Sequence, residues 1–459
     1  MEDVVVLLPG ILGSVLRKEG ADVWGLSGGV FARALWHFGE NITDLAIPQD
    51  KLDREDYDDG VTATRLLPDT HLVPYFWKVD GYSYVAQTLQ RSLNLKSGQN
   101  YFEFPYDWRR DNRVAARRLK ELSGKWLDAQ RRAGAKDPKL ILIAHSMGGL
   151  VSRYFLEVLE GWRDTRMLIT FATPFRGSVN ALNFISNGLI KRVGPLKLLD
   201  LSHMLRSFPS AYQLLPTYAC YDPNGDGNYL HLDKATGIPN LDARRVAGAF
   251  AFHDEINKAV EAHMDDEEYR DKGYRTFPIV GTSQPTFQSA VWNGEAVEVL
   301  QEFYGKDDGG DGTVPRGSAT PLEMKDQQMA VFAAEQHASL QNVQSVLAHV
   351  GGLISDIDFK SDRYKAPAAA IGLQVDDTFE TGEPVKVRAR AENTSGALFS
   401  KITDVQTGAD LANGKLTKGV SQWQTAEFPP LPEGTYRVTV RDEDGKSEPV
   451  SDVFLVLSN

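Results

Sequence analysis

The stretch KLILIAHSMGGLVSRYFLE, Lys139 to Glu157, restricts the fold of this chain more than any other. A near-continuous aliphatic run passes straight into Ala-His-Ser-Met-Gly-Gly, and a helical pattern begins at once. A strand that is apolar throughout, rather than at every second residue, is buried on both faces, as in a parallel sheet covered by helices. Small residues at Ala144 and Gly148 let strand and helix approach closely, which pushes Ser146 out at the tip of a sharp turn. The plain alternative is a serine in an ordinary tight turn.

The same texture extends to about Lys365. Short β-branched runs (Val4 to Leu8, Leu140 to Ala144, Leu168 to Ala172, Phe277 to Val280) alternate with helical patterns, which predicts an α/β domain. One helix is clear over NRVAARRLKELSGKWLDAQRRAGAK, with Asn112 as N-cap, Gly134 as stop and an apolar stripe through Val114, Leu119, Leu122 and Trp126. Beyond DRYKAPAAA the pattern changes to PVKVRARAE, TYRVTVRD and DVFLVLS, which alternate with a period of two between turn clusters. Tyr436, five residues after Leu431 and entering a strand, has the setting of a tyrosine corner. The expected division is a catalytic α/β domain over 1–365 and an immunoglobulin-like or fibronectin-type β-sandwich over 366–459.

A formal net charge of −12 argues against nucleic acid as a partner. With Cys220 as the single cysteine no intrachain disulfide can form, so a reducing compartment is compatible. The apolar run in MEDVVVLLPG is too short for a signal peptide core, and no segment approaches the ~20 apolar residues of a membrane span. The expected location is the cytoplasm, with room for peripheral contact at a membrane.

A serine hydroxyl is a poor nucleophile without a base to take its proton and donors to hold the resulting oxyanion. Downstream of Ser146 lie KDDGGDGTVPRGSA and EQHASLQNVQSVLAH, giving the order serine, acid, histidine used on α/β-hydrolase sheets. His337 stands just before a helical pattern, where it can swing toward the serine, whereas His349 lies late within that pattern. Asp307 and Asp308 compete with Asp311, which the Gly-Asp-Gly-Thr-Val-Pro setting favours. The proposed roles are attack by Ser146, proton transfer by His337 and orientation of the imidazole by Asp311. Because the base must start neutral, activity should fall on the acid side of about pH 6.5. Oxyanion donors are expected at the backbone of Met147, after the nucleophile, and of Ile11, after the buried strand that ends at Pro9-Gly10.

The pieces LLPGILGS, WKVDGY, FEFPYDWRRD, IAHSMGG, FATPFRGS, SFPSAYQLLP and GDGTVP, with the later His337, jointly resemble the lecithin:cholesterol acyltransferase-like α/β-hydrolases, which include lysosomal phospholipase A2-type enzymes. The resemblance implies the triad Ser146, Asp311 and His337, oxyanion donors at Ile11 and Met147, and attack on lipid esters through an acyl-enzyme. Water or a lipid alcohol would resolve that intermediate. It also places a cap around 175–216. Secreted members carry disulfides, which a single cysteine cannot form within the chain, and a signal peptide, which is not expected here; the C-terminal sandwich is not part of the family's usual core.

Within the cap, VNALNFISNGLIKRVGPLKLLDLSHMLRS combines apolar residues, among them Phe184, Leu189 and Ile190, with Lys191, Arg192, Lys197 and Arg206. It reads either as a membrane-resting lid over an acyl groove or as a buried helix with solvated charges. Trp36, in VWGLSGGVFARALWHFG, is core or an interfacial anchor. FPYDWRRD reads as an internal ion pair or as a pocket mouth. DPNGDGNYLHLD spaces Asp222, Asn224, Asp226 and Asp233 as a calcium loop does, yet lacks the entering helix, so a plain polar turn stands beside calcium as a reading. The expected function is a serine lipid-ester hydrolase of the phospholipase A or lipase type, with acyl transfer as a variant. The competing function is a scaffold in which the sandwich recruits a protein partner.

Overall fold

The computed structural model describes residues 1–25, 45–48, 57–68, 71–73, 77–193, 197–324, 330–355, 370–392, 396–418 and 422–457. Its central sheet has six parallel strands: β1 (Val4–Leu8), β2 (Tyr101–Glu103), β3 (Leu140–His145), β4 (Thr165–Phe171), β5 (Arg275–Gly281) and β6 (Val331–Ala333). Their order is β6-β5-β4-β3-β1-β2. β2 therefore flanks β1 on one side and β3 flanks it on the other. The chain reverses direction across the sheet between β1 and β3, where a crevice opens at the carboxyl ends of strands.

Helices cover both faces. Val4, Val6, Leu8, Leu140 and Leu142 pack with Ala115 and Leu119 of α2 (Asn112–Arg132), Leu150 of α3 (Met147–Arg153) and Phe252 of α5 (Ala243–Met264). The intervening Val5, Leu7, Ile141 and Ile143 pack with Val85 and Leu89 of α1 (Ser83–Ser92) and with Leu347 and Val350 of α6 (Gln344–Ile354). Successive strand residues thus feed opposite layers, which is why these strands are apolar throughout. A further helix, α4 (Val179–Asn187), belongs to the segment expected as a cap and is capped by the Ser178 hydroxyl, which accepts the Asn180 N–H at 3.2 Å.

The N-cap of α2 is Asp111, whose carboxylate accepts the Arg113 N–H at 2.8 Å; Asn112, expected as the cap, is the first helical residue. The Asn112 N–H is satisfied from outside the helix, by Gln213 Oε1 at 2.9 Å. Gly134 follows the helix end at φ 103°, as a helix stop requires. β2 and β6 escape a periodicity reading because each has only three residues.

The C-terminal residues form two packed sheets. One holds β7 (Ala370–Val375), β9 (Val385–Glu392), β12 (Thr417–Lys418) and β13 (Gln424–Phe428) in the order β7-β9-β13-β12. The other holds β8 (Thr378–Glu380), β10 (Leu398–Asp404), β11 (Asp410–Lys415), β14 (Gly434–Asp442) and β15 (Val450–Leu457) in the order β8-β15-β14-β10-β11. Ile371, Leu373, Val387, Val438 and Phe454 fill the space between them. The Tyr436 hydroxyl donates to the Pro432 carbonyl at 2.8 Å, the bond of a tyrosine corner. The sandwich meets the α/β body through, among other contacts, an ion pair between Arg437 and buried Asp80.

Candidate active site

Ser146 sits at the β3–α3 junction, with φ 52° and ψ −125°. A non-glycine residue at such angles stores roughly 1–3 kcal/mol of strain, maintained only where surrounding contacts over-determine it. Its N–H donates to the Phe171 carbonyl at 2.8 Å, and its own carbonyl accepts the Gly149 N–H at 3.0 Å. A Cβ on Gly148 would lie 2.5 Å from the Pro9 carbonyl oxygen, and one on Gly10 would lie 2.8 Å from Ser146 Cβ. The elbow is therefore packed against the end of β1 as well as against its own strand. Ala144, standing where a nucleophile elbow usually has glycine, is fully buried within the β1–β3–β4 pairing.

His337 Nε2 lies 3.0 Å from Ser146 Oγ, and its Nδ1 lies 2.8 Å from Asp311 Oδ2. A carboxylate only accepts, so Nδ1 carries the proton and Nε2 presents its lone pair to the serine hydroxyl. The other Asp311 oxygen accepts the N–H groups of Thr313 and Val314 at 2.9 and 2.7 Å, which fixes the carboxylate plane. The His337 N–H donates to the Asp311 carbonyl at 2.8 Å, lacing the two loops together. Asp307 accepts from Gly309 and Gln288, and Asp308 pairs with Lys306, so neither competing acid faces the imidazole. His349 is buried within α6.

A second set of contacts holds the serine, histidine and β1 loops in register. The Tyr82 hydroxyl accepts the Gly10 N–H at 2.8 Å and lies 2.8 Å from His145 Nδ1. His145 Nε2 lies 3.0 Å from the His337 carbonyl, an acceptor, so Nε2–H donates there and Nδ1 receives the tyrosine proton. Burial, then the neighbouring His337 ring, push His145 down to about 3, which keeps it neutral. Neither residue has a role legible in the sequence: Tyr82 falls within the motif WKVDGY, and His145 precedes the nucleophile without a pattern of its own.

Ile11, Pro174, Ser178, Ala181, Leu214, Thr313 and Val314 line the space over Ser146 and His337. That space is about 20 Å³, room for one water. Among the described residues no acceptor receives the N–H of Ile11 or of Met147, the first residue of α3. Phe184 and Leu189 are not in this lining: Leu189 is buried in the core and Phe184 packs against it half-buried. Ile190 is a backbone partner of Asp200, and its side chain, like Trp36 as a whole, lies outside the described residues.

Arg109 is buried, with its guanidinium bonded to Asp107 at 2.7 Å and to Asp59 at 2.9 Å, so FPYDWRRD forms an internal ion pair. Asp222 uses both carboxylate oxygens on the N–H groups of Asn224, Gly225 and Gly227 at 2.7–3.1 Å. Asp233 pairs with Lys234. Asp222 thus closes the turn, and among the described residues no three His, Cys, Asp or Glu are grouped to hold a metal. No described helix is long and apolar enough to cross a membrane.

The doubly covered parallel sheet with a serine elbow at its reversal point places the body in the α/β-hydrolase class. Residues 57–240 match the family model of lecithin:cholesterol acyltransferase, which bears out the resemblance carried by the motifs. The chain is 29% identical over 196 residues to phospholipase A(1) LCAT3 of Arabidopsis thaliana, covering 39% of this chain and 43% of that protein. It is 23% identical over 273 residues to the lysosomal phospholipase A and acyltransferase of Bos taurus, covering 56% of this chain and 64% of that protein. The chain thus spans less than two thirds of either relative. Among solved structures, the propeptide form of the Bacillus licheniformis lipase BlEst2 aligns with TM-score 0.34 and 15% identity, over 99% of this chain and 73% of that one.

Proposed function

We propose that this chain is a serine carboxylester hydrolase acting on lipid esters, of the phospholipase A or lipase type, with acyl transfer to a lipid alcohol as the variant outcome. The observation that carries this reading is the unbroken Asp311–His337–Ser146 hydrogen-bond chain on a strained elbow. His337 Nε2 takes the Ser146 proton as Oγ attacks the ester carbonyl, and Asp311 stabilises the imidazolium that forms. The Ile11 and Met147 N–H groups receive the oxyanion. Collapse expels the alcohol, protonated by His337, and leaves an acyl-serine, which water or a second alcohol resolves by the same steps in reverse. No cofactor enters. The names of the two relatives, a phospholipase A1 and a phospholipase A with acyltransferase activity, support lipid esters as the substrate class.

We divide the chain into a catalytic domain over 1–365 and a sandwich over 366–459, with the cap around 175–216. With room for only one water over Ser146, an acyl chain enters by displacement of that cap, at peripheral contact with a lipid surface. A purely scaffolding role leaves the strained serine without a use.

The test is turnover of a short-chain nitrophenyl ester by the parent and by Ser146→Ala. The expected loss is on the order of 10⁶ in kcat. Equal rates would refute the assignment. Mass spectrometry of products from a mixed phospholipid extract then identifies the bond cleaved.

A further inference from the structure

Among the described residues β7 is an edge strand of its sheet, paired through its backbone with β9 alone. An edge presents unpaired N–H and C=O groups that proteins cover in some way. Here two side chains of the catalytic body take the place of the missing strand. Gln284, completely buried, donates Nε2–H to the Ile371 carbonyl at 3.1 Å and accepts the Leu373 N–H on Oε1 at 3.0 Å. Gln336 donates Nε2–H to the Leu373 carbonyl at 2.9 Å and to Gln284 Oε1 at 3.1 Å. Ile371 and Leu373, two apart, expose these groups on the same edge, as strand geometry demands. The backbones come together as closely: a Cβ on Gly372 would lie 2.8 Å from the Ser283 carbonyl oxygen.

Both glutamines stand beside the proposed catalytic groups. Gln336 immediately precedes His337. The Gln284 N–H donates to the Gly310 carbonyl at 3.0 Å, and its backbone bridges Gly310 and Asp311. Its carbonyl accepts the Thr286 hydroxyl at 2.9 Å, and Thr286 Oγ1 in turn accepts the Gly312 N–H at 2.8 Å. The acid loop and the histidine loop, remote in sequence, are therefore joined to one another and to the sandwich by a single group of amides.

We propose that the sandwich is a positioning element for the triad: its edge strand, read by Gln284 and Gln336, sets the Asp311 loop against the His337 loop. This rests on the triad reading above and adds to it a role for the C-terminal unit in the chemical step rather than in recruiting a partner. Neither glutamine touches the reacting atoms. Their effect is on where the imidazole stands.

The test uses the full chain and five variants. Gln336→Glu keeps the shape but replaces the donor that meets the Leu373 carbonyl by an acceptor. Gln336→Ala removes the bridge, and Gly372→Val pushes the edge strand away from Ser283 without altering any residue of the body. Turnover of a short-chain nitrophenyl ester is referred to serines counted by the end point of fluorophosphonate labelling, and thermal unfolding is followed in parallel. The expected result is a fall in kcat and in labelling rate on the order of 10- to 100-fold, with KM within about two-fold of the parent, as for a displaced proton acceptor. Reintroducing the amide as Gln336→Asn, one carbon short, should recover less than half of the loss. A role confined to stability would lower the unfolding temperature and leave kcat per counted serine at the parent's value. That result in Gln336→Glu and Gln336→Ala, with turnover abolished in Ser146→Ala, overturns the positioning role alone. Turnover surviving in Ser146→Ala overturns the triad and the positioning role with it. Should Gly372→Val fail to fold, the two Gln336 variants decide.

Discussion

Tyr82 commits its hydroxyl in two directions, receiving the Gly10 N–H and giving its proton to His145, and so ties the β1 loop to the serine elbow. Tyr82→Phe keeps the ring and leaves the Gly10 N–H and His145 Nδ1 buried without that partner. Each such orphan costs about 1–3 kcal/mol. The expected outcome is a lower unfolding temperature together with a fall in kcat of about 10-fold, since one bidentate contact aligns the proposed oxyanion loop with the nucleophile. An unchanged kcat would show that the loop is held by packing alone. Gly148→Ala addresses the same junction from the helix side. Its new methyl would meet the Pro9 carbonyl, a backbone atom that cannot swing away, so activity should drop even in the soluble, folded fraction. Full activity in that fraction would mean the elbow can shift without disturbing Ser146.

At the level of elements, the loop between β2 and α2 is held by Arg109, which is almost wholly buried between Asp107 and Asp59 and also donates to the Leu45 carbonyl at 3.0 Å. Removing one partner of a buried ion pair strands the others, at roughly 3–5 kcal/mol. Arg109→Met should therefore shift the urea midpoint of the body downward by that amount of stability, and a midpoint like the parent's would refute the burial argument. Much of this level was legible in the residues. β1, β3, β4 and β5 announce themselves because strands buried on both faces must be apolar throughout, and the serine elbow follows from where one of them stops. Of the proposed serine, aspartate and histidine, Ser146 was picked out by the strand that ends before it and His337 by the helical pattern that follows it, whereas Asp311 rested on its Gly-Asp-Gly-Thr-Val-Pro setting. Gln284 and Gln336 were not legible, because an amide that substitutes for a strand has no period and no motif, and its meaning lies in a partner some 40 to 90 positions away. The cap of α2 was misplaced by one residue since Asp111 and Asn112 are both good caps, and a tertiary contact from Gln213 decides between them.

Across the whole molecule, the α/β body and the sandwich enclose a cleft of about 760 Å³ lined by Asp80, Glu335, Arg437 and Ser451 among others. Burial raises Glu335 to about 8; the Asp452 and Asp80 charges add to this, while N–H groups of Gln336 and Ser451 oppose it. A carboxyl whose folded value exceeds its unfolded one gives stability that is complete below about pH 4.5 and lost as pH rises through about 8. Glu335→Gln should thus melt several degrees above the parent at about pH 9, with the gap closing toward about pH 5. A gap independent of pH would show that Glu335 does not titrate in this window. Arg437, facing Asp80 in the same cleft, keeps one positive charge among these acids. The manner in which β7 is covered has one more result for the chain as an assembly. Severed from the body, the C-terminal unit would carry a bare seam at Ile371 and Leu373 that a second copy can zip onto, so a truncated fragment should grow into dimers or longer stacks as its concentration rises, whereas the intact polypeptide keeps that seam shut from within.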